Sequence, residues 1–393
     1  MFSTSSKLFE PLQVGDVTLG NRVVMAPLTR FRATETHAPG PHAALYYSQR
    51  SVAPGTLLIS EATLIGEKAG GYFGVPGIYS DEQIAGWKKV VDAVHANGSF
   101  IYLQLWALGR TADPAEIARE NPANEYTAAS DIALAGYATP RAMTEDEIRE
   151  FIGLYGVAAS NAVHKAGFDG VEIHGANGYL VDQFLQDVSN NRTDSYGGSV
   201  ENRSRFALEV IKAVVDAVGE KKTAIRLSPW SKFQGQFLRT PASAFLLTHQ
   251  ILDMGMASPE SQFTHLISNI RTLYPDFAYL HVVEPRVDGW ADRATVPASQ
   301  TEERDALYAL WSPKPLVSAG GHDRATGFET AQRTGALVAY GRLFIANPDL
   351  VRRLKENLPL AKGDRATYYT PRDWTTTGYT DYPFAQQAVA AVL

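Results

Sequence analysis

Cysteine is absent from the 393-residue sequence, which excludes disulfides, thiolate metal sites, iron–sulfur clusters and cysteine nucleophiles. Long apolar runs are absent too, so we expect a soluble, cytoplasmic protein with neither a signal peptide nor a membrane partner. There is no excess of positive charge, because 36 basic and 42 acidic side chains give a formal net charge of −6. Broad attraction to nucleic acid is therefore not expected, and an anionic ligand must be held by a few local groups.

The sequence does contain a regular alternation of short apolar runs and longer helical segments. Near-continuous apolar runs are typical of parallel strands buried on both faces. Eight such runs occur: Arg22–Pro27, Thr56–Thr63, Phe100–Trp106, Gly170–Ala176, Ala224–Pro229, Tyr279–Pro285, Pro315–Gly321 and Leu337–Phe344. They predict a (β/α)8 TIM barrel, as a single domain over residues 1–393. A doubly wound open sheet shows a similar alternation, although no G-x-G-x-x-G motif follows the first run.

Local signals support the barrel. Two helices are predicted to begin with a capping box, formed by Ser80 with Gln83 and by Thr144 with Glu147. The segment Val14–Val17 predicts an N-terminal β-hairpin that caps the floor of the barrel. Two long loops follow the third and fifth strands, at Gly109–Ala142 and Gln236–Met256. Because loops after barrel strands build the active site, both loops either shape substrate access or are tolerated surface insertions.

The end of the fourth strand carries three polar side chains, His174, Asn177 and Tyr179. Two convergent donors suit a carbonyl oxygen that gains negative charge during a reaction, and a nearby phenol can supply a proton. Each residue also has a purely structural interpretation, as a hydrogen-bonded core histidine, a helix cap and a packing tyrosine. Taken singly, the structural interpretation is the stronger one.

The ends of the seventh and eighth strands predict a phosphate site. Glycines precede helix starts there, and such turns present free N–H groups to an anion. The residues concerned are Gly320, Gly321, Gly341 and Arg342. Three further polar residues stand on or beside otherwise apolar strands, namely Thr29, Gln104 and Arg226. A buried arginine is costly without an acceptor, so this set favours a large heteroaromatic phosphate ligand.

Other barrel chemistries can be compared on the same strands. A Schiff-base aldolase needs a strand lysine, which none of the eight runs contains. We predict no metal site, because only His174 and His281 lie in the runs and no H-x-H motif occurs. A carboxylate-based hydrolase using Glu172 with Glu61 or Glu284 stays open. A flavin-storing or small-molecule-binding barrel without turnover is the non-enzymatic alternative.

The motifs along the chain resemble those of the Old Yellow Enzyme family, the FMN-dependent ene-reductases. The resemblance covers nearly the whole sequence, and it is most specific at VEIHGANGYLVDQFL (171–185) and NNRTDSYGGSVENRSRF (190–206). Other matching stretches are MAPLTRFRA, GTLLISEAT, LQLWALGR, IRLSPW, SAGG and YGRLFIANPDL. The segments APLTRFRA and VPGI are similar to fungal members, some of which reduce an aldehyde intermediate of ergot alkaloid synthesis.

The resemblance implies a role for each candidate residue. Pro27, Leu28 and Ala62 would contact the flavin through the backbone, Thr29 its C4 carbonyl, Gln104 its pyrimidine edge and Arg226 its N1–C2 carbonyl edge. The residues that would hold the phosphate are Gly320, Gly321, Gly341 and Arg342. His174 and Asn177 would bind the substrate carbonyl oxygen. The pocket would be lined by Tyr72, Trp106, Tyr368 and Tyr369.

The implied activity is that of an NADPH dehydrogenase or ene-reductase, with bound FMN and with NADPH or NADH as reductant. Hydride from flavin N5 would reduce the C=C bond of α,β-unsaturated aldehydes and ketones, and Tyr179 would supply the proton. The small-molecule substrate would be the only partner of a monomer or homodimer. Compared with the family, residues 236–253 form an insertion after the fifth strand. An ergot-alkaloid type aldehyde reductase is the alternative within the family.

Overall fold

Eight parallel strands close into a barrel in this computed structural model, which describes residues 6–232, 254–256, 258–288 and 291–386. The strands are β1 Val23–Met25, β2 Leu57–Ile59, β3 Phe100–Trp106, β4 Gly170–Gly175, β5 Thr223–Leu227, β6 Tyr279–Val283, β7 Leu316–Ala319 and β8 Leu337–Tyr340. Each strand pairs with the next one in sequence, and β8 pairs with β1. That last pairing confirms the barrel and rules out an open sheet. The predicted insertion at 236–253 lies outside the described residues.

Helices follow the strands and form an outer layer. The long ones are α1 Ala43–Arg50, α2 Asp81–His95, α3 Glu145–Ser160, α4 Val200–Val218, α5 Pro259–Leu273, α6 Ala298–Trp311 and α7 Arg324–Thr334. Short helices lie at Pro114–Glu120, Leu180–Leu185, Arg342–Ala346 and Leu350–Lys355. Both predicted capping boxes are confirmed, at the starts of α2 and α3. No helix in the described ranges is long and apolar enough to cross a membrane.

The buried apolar side chains of the described residues form three clusters, and the smallest of them contains Tyr72, Trp106 and Tyr179. The largest cluster lies between the barrel and its helices, where the inner faces of the helices carry buried side chains such as Trp87, Tyr155 and Phe206. A smaller cluster fills the lower barrel, and it includes Val14 and Leu19 of the N-terminal hairpin. That hairpin pairs Leu12–Val14 with Val17–Leu19, so the predicted floor cap is confirmed.

The strand ends differ from the sequence-based bounds at the end of the barrel where ligands bind. The predicted strand Thr56–Thr63 is interrupted, because β2 ends at Ile59 and Thr63–Leu64 pairs separately with β3. The predicted strand Leu337–Phe344 ends at Tyr340, and a helix begins at Arg342. In both places the chain stays close to the barrel after the strand has ended, and Ala62, Gly341 and Arg342 line a cavity at the barrel mouth.

Candidate active site

A cavity of about 620 Å³ lies at the carboxyl ends of the strands. It brings together residues that are far apart in sequence, because parallel strands all end at the same rim of the barrel. Among the residues singled out from the sequence, its walls contain Pro27, Leu28, Thr29, Ala62, Gln104, His174, Asn177, Tyr179, Arg226, Gly320, Gly321, Gly341, Arg342, Tyr368 and Tyr369.

The end of β4 and the turn that follows it place His174, Asn177 and Tyr179 on one wall of the cavity. Asn177 has a φ of +58°, in the left-handed region that asparagine tolerates better than most residues. The Tyr179 ring packs edge-on against His174 and against Trp106, with centroid separations of 4.9 Å in each case. The Tyr179 phenol is therefore held in place by contacts with the rings of Trp106 and His174, on the same wall as Asn177.

The protonation states of this wall follow from its burial. Burial, together with the positive charge of Arg226, lowers the pKa of His174 well below its usual value. Burial also raises the pKa of Tyr179 above that of an ordinary phenol. At neutral pH His174 is therefore a neutral imidazole and Tyr179 retains its proton. Such a wall can donate hydrogen bonds to an oxygen and hold one transferable proton.

A buried polar network lies inside the barrel beneath the cavity. The Glu172 carboxylate accepts from Gln104 Nε2 and from His281 Nδ1, both at 2.8 Å. Burial alone would raise the pKa of Glu172, but His281, Arg226 and Gln104 together lower it. Glu172 thus remains a carboxylate that balances the buried Arg226 guanidinium. Arg226 Nε has no hydrogen-bond partner among the described residues, although its side chain faces the cavity.

The opposite end of the cavity is formed by glycine turns. Gly320 and Gly321 have φ values of +121° and +63° after β7. A Cβ on Gly341 would lie 3.3 Å from Leu28 Cδ2, so a side chain there would crowd the wall. Arg342 lines the same end of the cavity. Exposed backbone N–H groups next to a guanidinium form a suitable cradle for a phosphate.

The residues at the two ends of the cavity can be compared with the ring and the phosphate of FMN. Two buried nitrogens that have no partner in the described ranges, Arg226 Nε and His174 Nδ1, lie on residues at one end, where a planar ring with carbonyl groups would sit. The glycine cradle and Arg342 lie at the other end, where a phosphate would sit. The cavity volume also exceeds the lower limit of about 300 Å³ for typical ligand sites. The arrangement therefore fits a flavin mononucleotide.

The four aromatic residues assigned to the pocket separate into two pairs. Tyr368 and Tyr369 line the cavity. Tyr72 and Trp106 are not among its lining residues and pack against each other, with ring centroids 5.8 Å apart. Both rings belong to a buried apolar cluster that also contains Tyr179, and Trp106 packs directly against the Tyr179 ring.

The segment that carries Tyr368 and Tyr369 is fastened to the beginning of the barrel by Arg30. Its Nε donates to the carbonyl oxygen of Tyr368 at 3.0 Å, and its NH2 group donates to that of Gly378 at 2.7 Å. The guanidinium also lies 5.1 Å from the ring centroid of Tyr379. This wall of the cavity therefore depends on contacts between residues that are more than three hundred positions apart.

Four polar residues of the cavity were not singled out from the sequence: His322, Asp323, Lys362 and Arg365. His322 follows the Gly320–Gly321 turn directly, and a polar residue at that point was a usable signal. Lys362 and Arg365 belong to a polar loop without periodicity, so no sequence pattern predicted that they would line the cavity.

The carboxyl groups required by the hydrolase alternative lie outside the cavity walls. Glu172 is engaged inside the barrel, and Glu284 accepts from Ser318 Oγ at 2.5 Å. Glu61 accepts from the backbone N–H of Arg30, and burial raises its pKa to about 7. The geometry therefore does not favour a carboxylate pair acting on a sugar.

Comparison with known proteins agrees with this geometry. The model of the NADH:flavin oxidoreductase / NADH oxidase family matches residues 7–361. Chanoclavine-I aldehyde reductase fgaOx3 of Penicillium roqueforti is 48% identical over 393 residues, covering 98% of this chain and 99% of that protein. NADP-dependent oxidoreductase lnbE of Aspergillus flavus is 47% identical, with 98% of each chain covered. The crystal structure of Old Yellow Enzyme from Pichia sp. AKU4542 superposes with a TM-score of 0.84 at 35% identity, covering 98% of this chain and 95% of that one.

Proposed function

This chain is a member of the Old Yellow Enzyme group within the NADH:flavin oxidoreductase / NADH oxidase family, and we propose that it reduces the C=C bond of α,β-unsaturated aldehydes and ketones. The observation that carries the proposal is the wall formed by a neutral His174, Asn177 and a protonated Tyr179. It faces a cavity that also contains a phosphate cradle.

FMN, when bound, supplies the hydride, and NADPH or NADH replenishes it. The residues that would hold FMN are Pro27, Leu28, Thr29, Ala62, Gln104, Arg226, Gly320, Gly321, Gly341 and Arg342. Arg226 would place its positive charge beside the pyrimidine edge of the ring, where negative charge collects on reduction. The negative charge of Glu172 stabilises that guanidinium, and Arg226 Nε has no hydrogen-bond partner within the described part of the chain.

The carbonyl clamp, defined as His174 and Asn177, would bind the substrate oxygen. Donors aimed at an oxygen lower the barrier most when charge develops there in the transition state. A neutral imidazole donates one hydrogen bond without bringing a second positive charge next to Arg226. Tyr179 lies next to this clamp with its proton in place, so it can protonate the substrate α-carbon.

The names of the relatives narrow the proposed substrate. Two fungal proteins of 48% and 42% identity are called aldehyde reductases, namely fgaOx3 and FrzD of Cladobotryum sp. We therefore propose an unsaturated aldehyde of fungal specialised metabolism as the natural substrate class. Simple enals and enones would then serve as surrogate substrates.

The experiment starts with the purified protein. We expect yellow protein that releases FMN on denaturation and oxidises NADPH faster when 2-cyclohexenone or cinnamaldehyde is added. Protein that takes up no FMN would contradict the proposal, and protein that binds FMN without any acceptor-dependent turnover would favour the storage alternative. Cleavage of a nitrophenyl glycoside would instead support the hydrolase alternative.

A further inference from the structure

One buried carboxyl group close to the cavity has no part in the proposed chemistry, and it belongs to Asp182. We propose that Asp182 is a positioning residue, which holds Asn177 in the conformation that binds the substrate oxygen. This inference rests on the proposed function, because Asn177 is part of the carbonyl clamp. Asp182 itself is absent from the cavity walls and acts through the turn after β4.

The surroundings of Asp182 consist of donors. Its Oδ2 accepts from the backbone N–H of Gly178 at 2.8 Å and from Ser228 Oγ at 3.5 Å. Its Oδ1 accepts from Gln186 Nε2 at 2.9 Å. A carboxylate can accept all three bonds, whereas the amide of an asparagine would turn an NH2 group towards at least one donor. The site therefore selects an ionised carboxylate.

Ser228 connects this carboxylate to Asn177. Its Oγ accepts from the backbone N–H of Asn177 at 2.7 Å while donating to Asp182. Ser228 directly follows β5, and Asn177 follows β4, so the link joins the ends of two neighbouring strands. Asn177 adopts a positive φ, and the hydrogen bond from its backbone N–H to Ser228 helps to hold the turn in this conformation.

The protonation of Asp182 controls this link. Burial raises the pKa of Asp182 to about 6, although Gln186, Gly178, Ser228 and the positive charge of Arg110 act in the opposite direction. Arg110, from the loop after β3, is the charged group that faces the carboxyl. Above pH 6 the ionised group accepts strong hydrogen bonds from the turn. Below pH 6 the added proton occupies one acceptor position, which loosens the hold on Gly178 and Asn177.

The test measures binding of 2-cyclohexenone to the oxidised FMN-loaded enzyme between pH 5 and pH 8, from the change in flavin absorbance. This ligand does not ionise, so a pH dependence belongs to the protein. We expect wild-type affinity to fall several-fold from pH 7.5 to pH 5. Asp182→Asn should bind about tenfold more weakly at pH 7.5 and lose the pH dependence, consistent with one lost charged hydrogen bond. The exposed Asp187 provides the matched control, Asp187→Asn, which should behave as wild type.

A double-mutant cycle distinguishes positioning from a general structural effect. If Asp182 acts through Asn177, then Asp182→Asn should add nothing to the loss caused by Asn177→Ala. Ser228→Ala removes the hydroxyl that joins Asp182 to Asn177. The same binding measurement on this variant tests the inference if Asp182→Asn does not fold. Wild-type affinity in both variants, or losses that add to that of Asn177→Ala, would overturn the inference. Absence of bound FMN in the wild type would instead contradict the proposed function.

Discussion

At the scale of single residues, the proposed acid is defined by its neighbours. Trp106 and His174 enclose the Tyr179 ring from two sides, and burial keeps its phenol protonated. Among the described residues, this phenol makes no hydrogen bond to the glycine cradle or to the Gln104–Glu172–His281 network beneath the cavity. Its removal should therefore separate the two half-reactions.

We expect Tyr179→Phe to reduce FMN with NADPH at nearly the wild-type rate, while reoxidation by 2-cyclohexenone slows by about 10²-fold or more. The reason is that phenylalanine keeps the packing but has no proton to give. Stopped-flow absorbance of the flavin measures the two half-reactions separately. Equal losses in both would show that Tyr179 is not the acid.

Individual site residues could be predicted from the sequence only where they stand at or just after the end of a recognisable strand. His174 lies at the end of a strand that was recognisable from its apolar composition, and Asn177 and Tyr179 follow that strand, so their grouping at the barrel mouth could be predicted. Tyr72 and Trp106 were assigned to the pocket in the same way as Tyr368 and Tyr369. An aromatic residue has the same appearance in sequence whether it lines a cavity or packs behind another ring.

At the scale of secondary-structure elements, the start of α3 combines a cap with an ion pair. Glu147 Oε2 accepts from the backbone N–H of Thr144 at 2.7 Å, and both carboxylate oxygens accept from Arg141. The hydrogen bonds from Arg141, followed by those from Thr144, lower the pKa of Glu147 to about 2. Because the folded-state pKa lies below the unfolded value, ionised Glu147 stabilises the fold at neutral pH.

We expect Glu147→Gln to lower the free energy of unfolding by up to ~1 kcal/mol at pH 7, since glutamine retains the cap but loses the charge. The difference from wild type should shrink as the pH falls from about 4.5 towards 2, where Glu147 itself becomes protonated. Urea unfolding at several pH values measures it. The exposed Glu329 gives a control, Glu329→Gln, and a difference that does not change with pH would contradict the assignment.

A hydrogen-bonded ring fastens the end of β7 to the end of β6. Ser318 Oγ donates to Glu284, so it accepts from His322 Nε2 at 2.9 Å. Arg286 closes the ring, because it donates to Glu284 at 3.1 Å and to His322 Nδ1 at 3.0 Å. Burial and the charge of Arg286 lower the pKa of His322 to about 4, which keeps this histidine neutral. The ring encloses the Gly320–Gly321 turn of the phosphate cradle.

His322→Phe should weaken FMN binding by about tenfold, because the variant loses both hydrogen bonds that His322 makes within this hydrogen-bonded ring, next to the phosphate cradle. Riboflavin, which lacks the phosphate, should bind the variant and the wild type with similar affinity. Quenching of flavin fluorescence by the apoprotein measures both ligands. A parallel loss for riboflavin would mean that the ring supports the whole cavity rather than the phosphate end.

The predicted bounds of the strands agree with the structure in some places and differ from it in others. The bounds of β3 were predicted correctly, since the run FIYLQLW is apolar or aromatic except at Gln104 and ends where the backbone turns. The bounds of β2 and β8 were too long. Ser60–Ala62 is buried and Arg342–Phe344 is buried or partly buried, so both segments extend the apparent strands although neither is paired in the sheet.

At the scale of the whole molecule, the barrel has a polar centre. Gln104, Glu172 and His281 stand on β3, β4 and β6, and Arg226 stands on β5 between the last two. Four consecutive strands are thus linked through one completely buried carboxylate. We propose on this basis that residues 1–393 behave as one domain, in which the network and the closed sheet form and unfold together.

Glu172→Ala should reduce the free energy of unfolding by about 3–5 kcal/mol, because it leaves the buried Arg226 charge without its partner. The transitions followed by far-UV circular dichroism and by tryptophan fluorescence should shift together. The control is Glu329→Ala on the surface of α7, which should stay within about 0.5 kcal/mol of wild type. Two separate transitions would contradict the single domain.

The hydrogen bonds from Arg30 to the carbonyl groups of Tyr368 and Gly378 also determine when the cavity is completed during synthesis of the chain. Pro27, Leu28 and Thr29 emerge early from the ribosome, whereas the wall opposite them is fixed only after residue 378 has been translated. We therefore expect tight binding of FMN, the proposed cofactor, only after residues 368–378 have been synthesised and have docked against Arg30.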